Sequence, residues 1–323
     1  MHVHAKNEYA GHCLQTFSGV DYKRATNRIQ EVMMKKNNEV ILYERQGKYI
    51  PRVAAVHDLC GYGKCSLGVA IPLLSAAGVD VCPLPTSLFS THTLYPDFVM
   101  HDTTDFLPKV LSHWKNGANI ALDGVYSGFL GSAEQVEIIQ SIYQDYPHAL
   151  RFVDPVMGDG GQRYPTYTEE MCEKMKDLVD GADLLLPNLT EAGILTEMDY
   201  PGQSPDEKQV RSILDALLEM GAKAVVLKGI QKEGKIINYI QGQDSEMTAV
   251  SEDLLDFFIH GTGDLYASSL IAALYTGKDL ESAVRFASKF VHDAMLNTRH
   301  QPDYLQRGVS FELNLGQVTD LLK

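Results

Sequence analysis

From Pro51 onward, short apolar segments alternate with segments of helical periodicity, and this alternation limits the fold more than any other feature of the chain. Short apolar runs are typical of strands buried on both faces, and helices between them connect parallel strands. Residues 235–240 and 246–250 break the rhythm and flank Gly242, which predicts an antiparallel hairpin. The pattern therefore predicts an α/β fold with three layers (α/β/α), a mostly parallel central sheet and an antiparallel edge hairpin.

The predicted elements follow from apolar spacing and from the residues that begin and end helices. Ser132 with Gln135 resembles a capping box, and Ser204 before Pro205 is a predicted N-cap. The predicted parallel strands are residues 52–57, 79–84, 150–153, 183–186 and 223–227, with another beginning at Ile120, and the predicted helices are residues 67–77, 104–116, 132–145, 169–181, 204–221, much of 264–297, and 315–322.

The first 50 residues do not share this alternation. Residues 21–36 have the spacing of an amphipathic helix, and residues 39–50 fit a hairpin that turns at Gln46-Gly47. Neither segment carries candidate catalytic side chains. We therefore divide the chain into an N-terminal extension of unknown role, residues 1–50, and one domain, residues 51–323.

The charge balance narrows the classes of partner. The chain has 28 basic and 42 acidic residues, a net charge of −14, which argues against nucleic acid or an anionic membrane as a partner. An anionic substrate would need a helix end, a metal or a few basic side chains. The five cysteines are scattered and odd in number, and Cys60 and Cys65 lack the spacing of a zinc pair, as expected of buried thiols in a reducing compartment. No segment has the pattern of a secretory signal or a membrane span, so we predict a cytoplasmic protein.

The turn Gly261-Thr262-Gly263-Asp264 opens a predicted helix. Such a turn leaves backbone N–H groups unpaired at the positive end of the helix dipole, where they can bind an anion. If a hydroxyl group accepts a phosphate there, Asp264 can take its proton. Taken alone, the turn also fits a simple helix cap formed by Thr262.

Polar residues recur where predicted parallel strands end, the edge at which open α/β sheets bind ligands. Asp154 and Asp159 bracket one turn, and their oxygens suit Mg²⁺, with Glu191 able to hold one of its waters. Taken singly, Asp154 could instead cap its own turn, and Glu191 could be a solvated residue at a helix start. The strand-end residues are Asp58, Asp123, Asp154, Asn188, Glu191 and Lys228.

Other motifs fit less well. The stretch 61–66 resembles a dinucleotide fingerprint, but Ser66 replaces its third glycine and Asp80 lies inside a predicted strand. It also lacks the earlier glycine of a P-loop. Ser127 is not in a nucleophile elbow, so the sequence does not favour hydrolase chemistry. His92 and His113 lack partners at metal-ligand spacing and are interpreted as structural.

Four motifs together resemble the ribokinase superfamily and, within it, the vitamin B6 kinases, which are pyridoxal or pyridoxamine kinases. The resemblance covers about residues 52–300, and residues 1–50 have no counterpart in it. The motif Phe-Ser-Thr-His-Thr distinguishes this branch best. The four motifs are residues 89–93, Asp154-Pro155-Val156-Met157-Gly158-Asp159, Pro187-Asn188-Leu189-Thr190-Glu191-Ala192 and Gly261-Thr262-Gly263-Asp264.

The resemblance implies a ribokinase-like fold and an ATP-dependent kinase that phosphorylates the 5′-hydroxymethyl group of pyridoxal, pyridoxine or pyridoxamine. Asp264 would be the catalytic base, and Gly261, Thr262 and Gly263 would form the anion hole. Mg²⁺ and ATP are the implied cofactor and donor, a monovalent cation such as K⁺ is allowed for, and a homodimer is expected. The remaining implied roles are metal binding for Asp154 and Glu191, nucleotide binding for Asn188, Glu191, Lys228 and Asp159, and substrate binding for Asp58, Thr93, Tyr126 and Tyr164.

Three residues depart from the family pattern. Asp58 stands where many pyridoxal kinases have a serine that contacts the ring, which favours a cationic substrate group such as that of pyridoxamine. Leu186 replaces a frequent threonine, and Lys228 replaces a frequent small hydroxylated residue. The alternatives are a hydroxymethylpyrimidine kinase of the same fold and a non-catalytic protein that binds pyridoxal phosphate or nucleotide.

Overall fold

The computed structural model describes residues 39–323, and within them the predicted α/β architecture is confirmed. Nine strands form a central sheet in the order β11-β10-β9-β8-β5-β4-β1-β2-β3. Six of them, from β9 through β2 in that order, pair in parallel, and the outer strands pair antiparallel. The strands are β1 (Arg52–Cys60), β2 (Asp80–Phe89), β3 (Met100–Asp102), β4 (Gly124–Ser127), β5 (Leu150–Val153), β8 (Leu184–Leu185), β9 (Ala224–Lys232), β10 (Lys235–Gly242) and β11 (Thr248–Asp253), and a separate two-stranded sheet consists of β6 (Gly158–Asp159) and β7 (Gln162–Arg163).

Helices cover both faces of this sheet, most of them through an apolar stripe, while the helix Thr262–Tyr275 is buried on all sides from Leu265 onward. One face is covered by α2 (Leu107–Asn116), α3 (Ala133–Asp145), α4 (Glu169–Met175), α5 (Leu189–Thr196) and α6 (Glu207–Glu219). The other face is covered by α1 (Leu67–Ala76), α7 (Thr262–Tyr275), α8 (Leu280–Thr298) and α10 (Leu315–Asp320), and α9 (Tyr304–Arg307) lies between the last two in sequence.

The side chains of each parallel strand alternate between two apolar cores. Ala54 and Val56 of β1 belong to one core, while Val53 belongs to the other. Successive strand residues point to opposite faces, so a strand with both faces buried is apolar throughout. This is why the short apolar runs of the sequence predicted the sheet correctly.

Several element boundaries differ from the predicted ones. Asp58 and Lys228, which were predicted to follow their strands, lie inside β1 and β9. The strand expected to begin at Ile120 begins at Gly124, because the parallel register pairs Gly124 with Val53 and with Leu150. Asp123 therefore precedes the strand and lies at the opposite edge from the other strand-end residues. Helix α6 is capped by Asp206, which accepts a hydrogen bond from the N–H of Gln209 over 2.8 Å, and not by Ser204.

Residues 39–50 pack against the domain. The turn at Gln46-Gly47 is present, but no strand spans residues 39–50, where Glu39 makes a single bridge, so the predicted hairpin is wrong. The Arg45 guanidinium donates to the carbonyls of Ala77 and Tyr275, each over 3.1 Å. The predicted helix over residues 21–36 lies outside the described residues, and the division of the chain at residue 50 stays a prediction. No helix in the described part of the chain is long and apolar enough to cross a membrane.

Candidate active site

The first turn of α7 is shaped by a close backbone contact. Gly261 has φ +86°, and a Cβ atom there would lie 2.0 Å from the carbonyl oxygen of Lys64, so only glycine fits. Gly261 is the residue that caps α7, and no side chain makes a capping hydrogen bond there. The interpretation of Thr262 as a side-chain cap is therefore wrong. The first N–H groups of a helix have no partner within it, so this turn is suited to binding an anion.

One serine connects two carboxylates next to this turn. The backbone N–H of Ser66 donates to Asp264 Oδ2 over 3.0 Å, and its hydroxyl donates to Asp58 Oδ1 over 2.5 Å. Ser66 has φ +50°, a strained conformation for a residue other than glycine. Strain of this kind persists where the surrounding structure holds a residue in place, and here it fixes Asp58 relative to Asp264.

A second group of charges is buried beside the end of β5, next to Lys228 in the interior of β9. The ammonium of Lys228 makes an ion pair with Asp154 Oδ1 and lies 3.8 Å from Glu191 Oε2. Asn188 caps α5 and donates through Nδ2 to the carbonyl of Gly158 over 2.8 Å. Glu191 Oε2 in turn accepts from the N–H of Asn188 over 2.7 Å, so Glu191 is buried in a capping box and is not a solvated residue.

Burial and mutual repulsion raise the pKa values of two acids of the site, Asp264 and Glu191. Burial and the neighbouring Asp154 raise the pKa of Asp264 to about 7, although the N–H of Ser66 partly opposes this. Burial likewise raises the pKa of Glu191 to about 8, with Lys228 opposing it. Burial lowers the pKa of Lys228, but Asp154 and Glu191 outweigh it and raise that pKa above its ordinary value. The site therefore has more carboxylates than cations and favours a bound cation.

The donor set at this position fits a magnesium ion. Lys228 binds one oxygen of Asp154, and the N–H of Asn188 binds one oxygen of Glu191. Among the residues that the structure describes, no hydrogen bond is made to the second oxygen of either carboxylate. Free carboxylate oxygens are the hard ligands that Mg²⁺ prefers, and the ion usually keeps several waters.

The other predicted site residues differ in their exposure to solvent. Asp159 and Tyr164 are exposed in and beside the β6–β7 sheet, and Thr93 is exposed in the loop after β2. Tyr164 is close enough to the acids that, after burial, Glu191 and Asp159 raise its pKa. Tyr126 is fully buried, with its hydroxyl 3.3 Å from Ser268 Oγ, so a ligand reaches its ring only if neighbouring side chains move.

Sequence reasoning missed Ser66 as a site residue. It identified this position as a missing glycine of a nucleotide fingerprint, and that substitution was the available signal. The positive φ of Ser66 explains why this position resembles one for glycine, because its backbone has a conformation that glycine adopts freely. The Ser66 hydroxyl, which glycine lacks, donates a hydrogen bond to Asp58.

Comparisons with known proteins identify the family of the chain. The family model for phosphomethylpyrimidine kinase matches residues 74–306. A curated relative from Bordetella avium, a pyridoxine/pyridoxal/pyridoxamine kinase, is 30% identical over 259 residues, which are 76% of this chain and 85% of that protein.

Two solved structures are also similar. A putative phosphomethylpyrimidine kinase from Bacteroides thetaiotaomicron, crystallised with pyridoxal, is 33% identical with a TM-score of 0.79, over 84% of this chain and 96% of that one. Pyridoxal kinase from Lactobacillus plantarum is 30% identical with a TM-score of 0.79, over 84% of this chain and 98% of that one. The predicted resemblance is confirmed: the chain belongs to the phosphomethylpyrimidine kinase family of phosphotransferases, in which it is similar to the pyridoxal kinases.

Proposed function

We propose that the protein transfers the γ-phosphate of ATP to the 5′-hydroxymethyl group of a vitamin B6 vitamer. The observation that carries this proposal is the position of Asp264. It is hydrogen-bonded to Ser66, which also binds Asp58, and it lies close enough to Asp154 and Lys228 that their charges perturb its pKa. A base between an acceptor-binding group and a cation-binding group is the arrangement that phosphoryl transfer to an alcohol requires.

On the donor side, the N–H groups of the turn from Gly261 to Gly263 would stabilise charge on the transferred phosphoryl group. Lys228 would bring a permanent positive charge to the same phosphates. Asp154 directly, and Glu191 through water, would hold Mg²⁺, which neutralises phosphate charge when bound. The other residues proposed for nucleotide binding are Asn188, which orients the start of α5, and Asp159 in the exposed β6–β7 sheet.

On the acceptor side, Asp58 would recognise a cationic group of the substrate. Burial raises the pKa of its carboxyl group, and a pyridinium or aminomethyl cation placed beside it would favour the ionised form again. Thr93 and Tyr164 would contact the ring from exposed segments, and Tyr126 would contribute only if its packing rearranges. Asp264 would take the proton of the hydroxyl group as the phosphoryl group moves.

The test is the release of ADP by purified protein with Mg²⁺, ATP and each of pyridoxal, pyridoxine, pyridoxamine and hydroxymethylpyrimidine. We expect turnover with at least one B6 vitamer and more slowly with the pyrimidine. Turnover of hydroxymethylpyrimidine alone would assign the protein to the alternative kinase activity. Binding of pyridoxal phosphate without turnover of any acceptor would support the non-catalytic alternative. The same assay with K⁺ replaced by a bulky organic cation, and the mass of the protein in solution, test the expected K⁺ requirement and homodimer.

The role of Asp58 is tested by Asp58→Ser, which introduces the residue that many relatives have. We expect kcat/KM for pyridoxamine to fall by about tenfold or more relative to that for pyridoxal, because the loss of a charge-assisted hydrogen bond corresponds to about 1.5–3 kcal/mol. An unchanged ratio of the two values would refute the proposed selectivity. Asp206→Asn, which exchanges two equally good capping residues far along the chain, serves as the control.

A further inference from the structure

Two thiols and a carboxylate lie together at the end of β1. One atom from each of Asp58, Cys60 and Cys65 falls within 4.8 Å of the other two. Asp58 and Cys60 are two residues apart in a strand and share a face, and Cys65 reaches them from the turn before α1. This cluster is distinct from the acids that pair with Lys228, and nothing in the proposed phosphoryl transfer uses its thiols.

The spacing of the cluster suits a tetrahedral ion with sulfur ligands. Cys60 Sγ lies 3.3 Å from Asp58 Oδ2. A sulfur and an oxygen bound to one tetrahedral Zn²⁺ are about 3.5 Å apart, and two sulfurs are about 3.8 Å apart. The three atoms, which all lie within 4.8 Å of one another, are therefore close to the spacing of a tetrahedral site.

The carboxylate is already oriented for this role. Ser66 donates to Asp58 Oδ1, which leaves Oδ2 facing the thiol of Cys60. Hydrogen bonds of this kind to the far oxygen commonly orient metal-binding carboxylates. Asp58 and Cys65 are buried, whereas Cys60 is only half-buried, so an ion can enter past Cys60.

We propose that Cys60, Cys65 and Asp58 form a binding site for one thiophilic divalent cation, with the fourth position open to water. Binding exchanges two S–H bonds for two metal–sulfur bonds and releases two protons to solvent, while the ionised carboxylate supplies the third ligand. The charge of the ion and its ligands is then −1. A bound ion also withdraws Asp58 from the acceptor side of the site, a consequence that rests on the proposed kinase function.

Proton release makes the affinity depend on pH. In the absence of metal, the interaction with Cys60 and burial raise the pKa of Cys65, as do the nearby Asp58 and Asp264. The charged groups near Cys65 are thus acids, which oppose formation of its thiolate until a cation arrives.

The experiment is a titration of the full-length, reduced, metal-free protein with Co²⁺ and then Zn²⁺, in excess Mg²⁺ and without substrate. Every protein carries Cys13→Ser, so that this thiol cannot contribute. We expect one Co²⁺ per chain, with the thiolate charge-transfer band and the visible bands of tetrahedral Co²⁺, both removed by one equivalent of Zn²⁺. Cys60→Ser and Cys65→Ser should lose the band and weaken binding at least 100-fold, while the half-buried control Cys82→Ser should keep both.

Absence of the band in the parent protein would overturn the proposal, as would a band that survives Cys60→Ser or one that Cys82→Ser also removes. If Cys65→Ser fails to fold, Cys60→Ser decides alone, because its side chain is partly exposed. Inhibition of kinase activity by Zn²⁺, relieved in Cys60→Ser, tests the link to Asp58. Because metal binding is read without substrate, an inactive protein would refute the proposed function and leave the metal result standing.

Discussion

The substitution Asp264→Asn tests two properties of the proposed base: its contribution to catalysis and its effect on the stability of the fold. Asparagine keeps the shape of the side chain and can still accept the hydrogen bond from the N–H of Ser66. It cannot take a proton, so we expect kcat to fall by about 10²–10⁴-fold. The KM for ATP should stay within about threefold, because the base contributes nothing to nucleotide binding in the ground state.

The same substitution should make the folded protein more stable. The pKa of Asp264 is about 7, against an ordinary value of 3.8, because the carboxylate is largely removed from solvent and lies near Asp154 and Asp58. A difference of this size corresponds to about 4 kcal/mol, which we reduce to about 1–3 kcal/mol because Asp264 is partly solvent-exposed. The folded state holds a proton that the unfolded chain has released, so stability falls as the pH rises from about 4 to about 7.

The assay is thermal unfolding of both proteins at pH 8 and at pH 5, together with kinetics of ADP release. We expect the melting temperature of Asp264→Asn to exceed that of the parent by about 2–6 °C at pH 8. The gain should be less than half as large at pH 5, where the carboxyl group of the folded parent is protonated. Asp206→Asn should change neither property. An active Asp264→Asn variant would show that Asp264 is not the base. An equal increase in melting temperature at the two pH values would refute the electrostatic argument.

Two further substitutions test the charge and the turn beside Asp264. Lys228→Met leaves its two buried carboxylate partners without a cation. We therefore expect the free energy of unfolding to fall by about 3–5 kcal/mol and turnover to be lost. The control Lys232→Met, on the same strand, should change the free energy of unfolding little. Unchanged denaturant unfolding of Lys228→Met would contradict the burial of this charge. Gly261→Ala places a Cβ atom against the carbonyl oxygen of Lys64, so kcat should fall at least 100-fold. The control is Gly234→Ala, because Gly234 also has positive φ but open space around it. This control should lower the free energy of unfolding by about 1 kcal/mol and leave kcat unchanged.

Much of the fold could be predicted from the sequence because the signals for it are local. Periodicity and helix-end residues identified most of the parallel strands and the long helices of the domain, and the hairpin of β10 and β11 was recognised by its break in rhythm. The short strands β3, β6 and β7 were not predicted, the hairpin predicted over residues 39–50 was wrong, and several boundaries differed. Residues 120–122 are apolar enough for a strand, but pairing with two neighbouring strands sets the start at Gly124. Register depends on partners distant in sequence, so no local pattern could place Asp123 at the correct edge.

The candidate site was also predicted only in part from the sequence. The resemblance named Asp264, Asp154 and Glu191 and the roles that they would have. The structure added what each touches: Glu191 is held in a capping box, and Asp154 is paired with Lys228. The exposures of Tyr126 and Thr93 also differ, although the resemblance implied the same role for both. The capping box of Glu191 is a local contact, but only folding brings together Asp154 and Lys228, which are 74 positions apart. The same holds for Ser66 and Asp264, which are 198 positions apart.

By itself, the sequence determined the α/β class, the mostly parallel sheet and the turn at Gly261-Thr262-Gly263-Asp264, because apolar period and glycine placement act over a few residues. Only the tertiary structure decided that Ser66 holds Asp58 beside Asp264, that Lys228 is buried between two acids, and that two cysteines face the carboxylate of Asp58. The reason is physical: the pKa of an ionisable group and the strength of its interactions depend on its burial and its neighbours, and only folding brings those neighbours together.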